Sequence, residues 1–294
     1  MIYQTTKDKI EALQKRYTEL SKGNEEILRK IAIAEIPEMV YNSNAIENST
    51  LTLEDTEKIL IGEELQGKVN IREVFEAKNL AKITENLLEP SNHKLTLKLI
   101  LSLHKTLLTN IDDSIAGRFR SGKEWVRIGN HLGANPLFVN DLMQQLVENY
   151  SNGKERYFLD KIAHFHAEFE TIHPFCDGNG RMGRVLINLQ LMKLGLPPII
   201  IQNKSKHREY YPLFNKYPTT MKFDGFTELF ALLLQEALHK RITMLTAKKI
   251  ILLPLWAEKN NIKSNIAANK AKRQTIPAFR LREKWMIDED FSVT

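Results

Sequence analysis

The sequence predicts a mainly α-helical chain in three parts: a helical region over 1–94, a larger helical core over 95–247 with one short β-hairpin, and a small basic module over 248–294. Three observations predict it. Apolar residues recur every three to four positions along most of the chain. Trp125 to His131 is the one clear β-like segment, running into a cluster of turn formers. The charge is uneven: the formal net charge is +6, and from Lys248 onward ten Lys/Arg stand against five Asp/Glu, a net of +5 that leaves about +1 for the preceding 247 residues.

The helices follow in order. Ile10, Leu13, Tyr17 and Leu20 fall at helical spacing, and Gly23-Asn24 stops them. A second helix is expected from near Ile27. A third starts near Thr52, where Thr52 and Asp55 form a capping-box pattern ahead of Ile59, Leu60 and Ile61. Val69 to Leu88 and Leu95 to Leu108 are amphipathic. Ile162, Phe165, Phe169 and Ile172 make one apolar stripe on a helix that ends at His173-Pro174. Another runs from about Met182 to Leu194, ended by Gly195 and Pro197. Glu228 to Ala247 is the last long one. Between them, Trp125-Val126-Arg127-Ile128, the turn at Gly129-Asn130 and Leu137-Phe138-Val139 read as the hairpin. Leu252 to Ile287 reads as a short helix, a turn, a second helix and a small hairpin, with the boundary near Lys248, where the composition turns basic and Pro254 breaks the pattern.

A chain that is 43% hydrophobic and 27% charged is that of a globular protein able to bury a sizeable core. Cys176 is the single cysteine, which excludes an intramolecular disulfide and suits a reducing compartment. Met1 to Asp8 lacks the basic and apolar regions of a signal peptide, and no apolar run approaches the roughly 20 residues of a membrane span. A cytoplasmic protein without a membrane partner is expected.

The densest chemistry lies in His173-Pro174-Phe175-Cys176-Asp177-Gly178-Asn179-Gly180-Arg181-Met182-Gly183-Arg184. His173, at a helix end, is a candidate general base at neutral pH. Gly178 and Gly180 permit backbone angles that let successive amides form an anion nest. The helix that follows, expected to begin around Arg181, turns its positive end to the same loop. Arg181 and Arg184, three apart, can point the same way. Asp177 supplies an oxygen ligand suited to Mg²⁺ beside phosphate. Base, cation site and anion cradle together indicate nucleotidyl or phosphoryl transfer. Gly178-x-Gly180-x-x-Gly183 matches the dinucleotide fingerprint as a pattern, but it follows a helix rather than a strand, which excludes that reading. His166, Glu170 and His173 lack the His-Glu-x-x-His zinc pattern, and His166 and Glu170 read as a polar helix face. Cys176 reads as a spacer.

His-Pro-Phe-x-Asp-Gly-Asn-Gly-Arg-x-x-Arg resembles the signature of Fic-domain proteins at every fixed position. The resemblance implies a Fic-fold helical core and transfer of AMP from ATP to a Ser, Thr or Tyr hydroxyl of a protein. It implies His173 as base and Asp177 as the Mg²⁺ ligand. Gly178, Asn179, Gly180 and Arg181 would seat the α- and β-phosphates and Arg184 the γ-phosphate, with Met182 and Gly183 inside the same binding segment. A phosphotransferase branch of the family has lysine where this chain has Gly180, which favours AMP transfer. Ile128, Gly129, Asn130 and His131 resemble the tip of the family's flap, whose edge aligns a target segment by strand addition. Tyr210-Tyr211 resembles a tyrosine pair near the adenine pocket, and Pro218 stands where the family often has asparagine.

Ser43-Asn44-Ala45-Ile46-Glu47-Asn48 resembles the family's inhibitory motif, Ser/Thr-x-x-x-Glu-Gly/Asn. Glu47, on an N-terminal helix, would pair with Arg184 in bidentate fashion and deny it to the γ-phosphate. By itself such a motif reads as a Ser-capped surface segment. Partners under the resemblance are an unidentified target protein, the chain itself, or a homodimer. Thr275 to Arg280 followed by Lys284 to Ile287 resembles the wing of small excisionase-like helix-turn-helix modules. A scaffold that packs on the core is favoured there over DNA binding. A Fic enzyme using another nucleotide or removing AMP, and a non-catalytic nucleotide- or DNA-binding regulator, are the alternatives.

Overall fold

Thirteen α-helices and two small antiparallel sheets make up the described residues of the computed structural model, which are 2–65, 68–89, 94–129, 131–153 and 157–292. The N-terminal region holds α1 (Gln4–Ser21), α2 (Glu25–Ala34), α3 (Ile36–Ile46), α4 (Leu53–Ile61) and α5 (Ile71–Leu88). The capping box that starts α4 is formed: Thr52 Oγ1 accepts from the Asp55 amide at 3.1 Å, and Asp55 Oδ2 accepts from the Thr52 amide at 3.0 Å. Gly62, in the left-handed region, ends it.

The middle of the chain continues with α6 (Leu97–Leu108), strands β1 (Arg127–Ile128) and β2 (His131–Leu132), then α7 (Val139–Asn152), α8 (Phe158–Ile172), α9 (Asn179–Lys193), α10 (Tyr211–Thr220) and α11 (Asp224–Thr246). Two apolar cores fill it. One lies under α5, α6, α7 and one side of α8 and α9, around Ile83, Leu107, Met143, Phe169 and Met182. The other surrounds α11, with Ile10, Ile162, Leu191, Phe226, Phe230 and Leu234. α8 and α9 have buried residues around most of their circumference, so the loop between them is anchored on two central helices.

Residues 250–288 form a unit with its own apolar core of Leu253, Trp256, Ala267, Ala271 and Ile287. It contains β3 (Ile250–Leu252), α12 (Leu253–Lys259), α13 (Ser264–Lys272), β4 (Phe279–Leu281) and β5 (Lys284–Asp288) in a sheet of order β3-β5-β4. Its basic residues partly face the rest of the protein. Arg280 clasps Glu236 of α11, with Nε donating to Oε1 at 2.8 Å, and Arg282 pairs with Glu57 of α4.

Several expectations need correction. Leu137-Phe138-Val139 is not a strand. Asn135 Oδ1 accepts from the Leu137 amide at 3.1 Å and Pro136 opens a 3-10 turn that feeds α7, which starts at Val139. The hairpin therefore closes on itself, Arg127 opposite Leu132 and Ile128 opposite His131, around Gly129 at φ +55°. Pro254 does not interrupt the module but occupies the first turn of α12, and Ile250–Leu252 adds a third strand. α10 was not expected, and α3 was expected only as an N-terminal helix carrying Glu47, without bounds. Pro37 suits the first turn of α3, but the run Asn42-Ser43-Asn44 argues against a helix locally, and burial of nine of its residues overrides that run. Glu35, its N-cap, is held by Lys240 at 2.6 Å and by Arg241 of α11.

A candidate nucleotide site between the α8–α9 loop and helix α3

The loop from His173 to Gly178 is fixed by contacts that precede any chemistry. His173 caps α8 at φ +52°, a conformation a side-chain-bearing residue adopts only when its surroundings enforce it. Arg120 enforces it. Its buried guanidinium donates to the carbonyls of His173 at 2.7 Å and Ile172 at 2.9 Å, while its amide donates to the Pro174 carbonyl at 2.9 Å. Asn179 closes the turn from within: Nδ2 donates to the Phe175 carbonyl and Oδ1 accepts from the Phe175 amide, both at 2.8 Å. His104 stacks on Phe175 with centroids 3.6 Å apart. Its Nδ1 accepts from the Gly117 amide, so Nε2 carries the hydrogen donated to the Asp177 carbonyl at 3.0 Å. Burial lowers the pKa of His104 to about 4, so it stays neutral. Sequence reasoning missed Arg120 and His104; a lone arginine in a loop and a lone histidine on an amphipathic helix carry no local signal.

The loop borders a cavity of about 590 Å³. His173, Asp177, Gly178, Asn179, Gly180 and Arg184 line it from one side. Ile128 and Gly129 line it from the hairpin, and Tyr210, Tyr211 and Asn215 from the opposite wall. Asn215 was not foreseen. Asn130 and the side chain of His131 lie outside the described residues. His173 Nδ1 is 3.2 Å from the Glu170 carbonyl. A carbonyl only accepts, so in the neutral ring Nδ1 carries the hydrogen and Nε2 keeps the lone pair a base requires. The helix begins at Asn179, two residues earlier than expected, with Gly178 as N-cap at φ +79°. Its first amides lack intrahelical partners and belong to the loop.

Only part of the segment faces the cavity. Gly180 and Arg184, four apart, share the cavity face; Arg181, Met182 and Gly183 do not line it. Arg181 lies behind the loop, 3.1 Å from Glu76 and 3.2 Å from Asp177. Met182 is core. Gly183 lets α8 approach, since a Cβ there would meet Glu170 Oε1 and sit 2.9 Å from His166 Cε1. His166 and Glu170 are therefore buried under α9 rather than a solvated polar face. His166 Nε2 is 2.8 Å from the Tyr210 hydroxyl, and burial lowers its pKa to about 3. Burial raises that of Glu170 to about 8, against the pull of Arg184. Tyr210 is fully buried, its ring stacked near His166. Cys176 lines the cavity as a thiol whose pKa is raised by burial and Glu124.

Asp177 is the carboxylate of the site. Burial pushes its pKa up, but Arg181, Arg72 and the Gly178 amide outweigh that, and the net is lowered, so the group is ionised at neutral pH. Arg72 of α5 pairs with its Oδ2. Among the described residues no group of three or more His, Cys, Asp or Glu is placed to hold a metal. An ionised carboxylate on the cavity edge would suit a Mg²⁺ that takes its other oxygens from water and phosphate.

Glu47, the C-cap of α3, reaches across to Arg184. Its Oε1 accepts from Arg184 Nη2 at 2.8 Å. The pair is not bidentate. Arg184 Nε donates to Ser43 Oγ at 2.9 Å and Nη2 also to the Ser43 carbonyl at 2.9 Å, so the guanidinium spans one turn of α3. Ser43 is buried, not a surface cap. Gly180 makes room: a Cβ there would fall on Glu47 Oε1.

Residues 94–191 match the Fic/DOC family model. The chain is 33% identical over 180 residues to protein adenylyltransferase Fic of Aedes aegypti and 34% identical over 180 residues to protein adenylyltransferase fic-1 of Caenorhabditis elegans. Each alignment covers 58% of this chain but only 35% and 34% of those relatives, so the chain spans about a third of their length. In solved structures, a Fic-domain signaling protein from Bacteroides thetaiotaomicron superposes with a TM-score of 0.72 at 24% identity, covering 81% of this chain and 96% of that one. Fic-1 from C. elegans gives 0.67 at 26% identity over 80% of this chain and 71% of that one. A Fic family protein from Desulfovibrio desulfuricans covers 100% of this chain and 98% of its own at a TM-score of 0.69 and 22% identity. Helix-bounded loop, hairpin and family match coincide: this chain carries a Fic domain of the Fic/DOC family over residues 94–191.

Proposed function

We propose that the chain is a protein adenylyltransferase that moves AMP from ATP onto a Ser, Thr or Tyr hydroxyl of a target protein, and that Glu47 restrains it. The observation that carries the reading is one cavity lined by His173, the Asp177–Gly180 segment, and an Arg184 already held by Glu47. The named activity of the relatives supports it. ATP lies with its phosphates on the amides of Gly178, Asn179 and Gly180 and its base against Tyr210 and Tyr211. Mg²⁺ held by Asp177 supplies charge neutralisation on the phosphates. The target hydroxyl gives its proton to His173 Nε2 as its oxygen forms a bond to the α-phosphorus, and the bond to pyrophosphate breaks. Arg181 orients Asp177 from behind. Ile128, Gly129, Asn130 and His131 align the target segment by strand addition at the edge of β1–β2. With Arg184 spent on Glu47 and Ser43, the γ-phosphate lacks its clamp and the α-phosphate lies out of line, so Ser43, Glu47 and Asn48 form a brake within the chain.

The C-terminal unit acts as a winged-helix-like scaffold rather than a DNA reader. Arg280 and Arg282, on the wing, are committed to Glu236 and Glu57. A salt-sensitive gel shift would restore the DNA reading. The lone cysteine suits a cytoplasmic setting, and among the described residues no helix is long and apolar enough to cross a membrane.

The test is incubation of a lysate with Mg²⁺ and ATP labelled at the α-phosphate, using wild type, Glu47→Gly and His173→Ala. Label should enter protein most strongly with Glu47→Gly and not at all with His173→Ala. Mass spectrometry should find AMP on a hydroxyl side chain. UMP, phosphocholine or phosphate there instead, or no adduct with Glu47→Gly, sinks the assignment. The same labelling, read on the chain itself, reports self-modification.

A further inference from the structure

The position of Glu47 has a structural cause outside the cavity. Glu47 ends a short helix, and the last carbonyls of a helix have no partners within it. In α3 they find one in Lys206. Its ammonium, almost fully buried, donates to the Ala45 carbonyl at 2.8 Å, the Ile46 carbonyl at 3.1 Å and Asn48 Oδ1 at 3.1 Å. All three acceptors flank Glu47. The Tyr211 hydroxyl donates to the Ile46 carbonyl at 2.6 Å, and the Asn203 amide donates to Asn42 Oδ1 at 2.9 Å. One segment, 203–211, thus grips the end of α3 at three points.

The backbone of that segment is unusual. Lys206–Tyr210 is a π-helical turn, a conformation found mostly as single turns and often at functional sites. Its wider winding brings residues four and five apart onto one side, which places Lys206 against α3 while Tyr210 and Tyr211 reach the cavity wall. Lys206 does not line the cavity. Burial lowers its pKa, and the Glu47 charge opposes the shift. A buried ammonium that spends its donors on two helix carbonyls and an amide holds that helix end in place.

We infer that Lys206 is the positioning residue that sets Glu47 on Arg184, by tying the carbonyls of Ala45 and Ile46 and the side chain of Asn48 to the wall of the nucleotide cavity. The inference rests on the reading of Glu47 as a brake, and the experiment keeps the two apart. Lys206→Met retains the stem and removes the ammonium. Asn48→Gly removes one acceptor and keeps the left-handed backbone at φ +69°.

Both variants, each alone and with Glu47→Gly, are assayed with α-labelled ATP in lysate, and amide hydrogen exchange is followed over residues 42–48. Lys206→Met should raise labelling about tenfold, the factor given by loss of a charge-assisted hydrogen bond of ordinary strength. Asn48→Gly should raise it by less. Neither should add to Glu47→Gly, and exchange over 42–48 should quicken in Lys206→Met. If Glu47→Gly activates while Lys206→Met labels and exchanges like wild type, Lys206 has no such role and the brake stands. If Lys206→Met lowers labelling in the Glu47→Gly background, Lys206 serves the substrate instead, and the inference is overturned. If Glu47→Gly does not activate, the brake reading fails first and the inference with it.

Discussion

Replacing Glu47 by glycine removes one carboxylate from a guanidinium that keeps its other bonds. Arg184 would still donate to Ser43 Oγ and to the Ser43 carbonyl, so its side chain stays in place and only the competitor leaves. The size of the effect follows from the environment. Two unit charges about 4 Å apart attract by roughly 4 kcal/mol at an effective dielectric of about 20. The Arg184 side chain is 8% exposed but that of Glu47 is 41% exposed, so water screens the pair from one side. Fully exposed pairs contribute only about 0.2–1 kcal/mol. The half-exposed pair falls between, at about 1–2 kcal/mol, which corresponds to a rise of about five- to thirtyfold in the population able to clamp a γ-phosphate. Initial rates of label transfer at saturating ATP measure it, with His173→Ala as the zero. Glu47→Gln, which keeps an acceptor and loses the charge, should fall between wild type and Glu47→Gly. Equal rates for wild type and Glu47→Gly would refute the reasoning, because Arg184 would then not limit the reaction.

Three further outcomes test the architecture beneath that pair. Asn179→Ala strands the buried amide and carbonyl of Phe175, so urea denaturation should show a loss of about 1–3 kcal/mol and label transfer should fall. Gly183→Ala drives a methyl into Glu170 and His166 at the closest approach of α8 and α9; overpacking of this kind costs about 1–3 kcal/mol, read as a lower melting temperature. Glu170 has its folded pKa raised from 4.5 to about 8, so its contribution to stability is complete below the unfolded value and is lost as pH climbs toward 8. Glu170→Gln should therefore gain on wild type by a few kcal/mol at most between pH 5 and 8, in melts run side by side. His166, with a pKa lowered to about 3, acts in the opposite direction below pH 6.5 and cancels in that difference. Parallel curves would show that the Glu170 carboxyl is not held neutral.

The sequence made legible what is local. A left-handed turn, paired glycines and a base at a helix end occupy twelve consecutive residues, and the loop could be read before any fold was known. Capping at Thr52 and Asp55 was legible for the same reason: donor and acceptor lie three residues apart. What depended on tertiary contact was not. α3 has poor local credentials and exists because its polar end finds partners in Arg184, Asn203 and Lys206. Arg120, which holds His173 in its turn, is 53 residues away in sequence. Arg181, expected to point the same way as Arg184, is instead drawn behind the loop by Glu76 of α5 and by Asp177, and the Glu76 contact lies far away in sequence.

Arg184 shows why such contacts matter to function. Its burial lowers its pKa, while Glu47 and neighbouring groups raise it, and the net is raised, so the charge is secure. A buried, permanently charged guanidinium must have partners in every state of the protein, or the cost of isolating it appears in full. Ser43 supplies two bonds that need no displacement, and the third position is the one that can change hands. Glu47 holds that position now, with its carboxylate half in water. A phosphate oxygen brings the same charge and acceptor geometry, so exchange replaces one charge-assisted bond by another and Arg184 is never left bare. Under the proposed brake, the barrier to release lies less in Arg184 than in moving Glu47, whose neighbours Ala45, Ile46 and Asn48 are tied to Lys206.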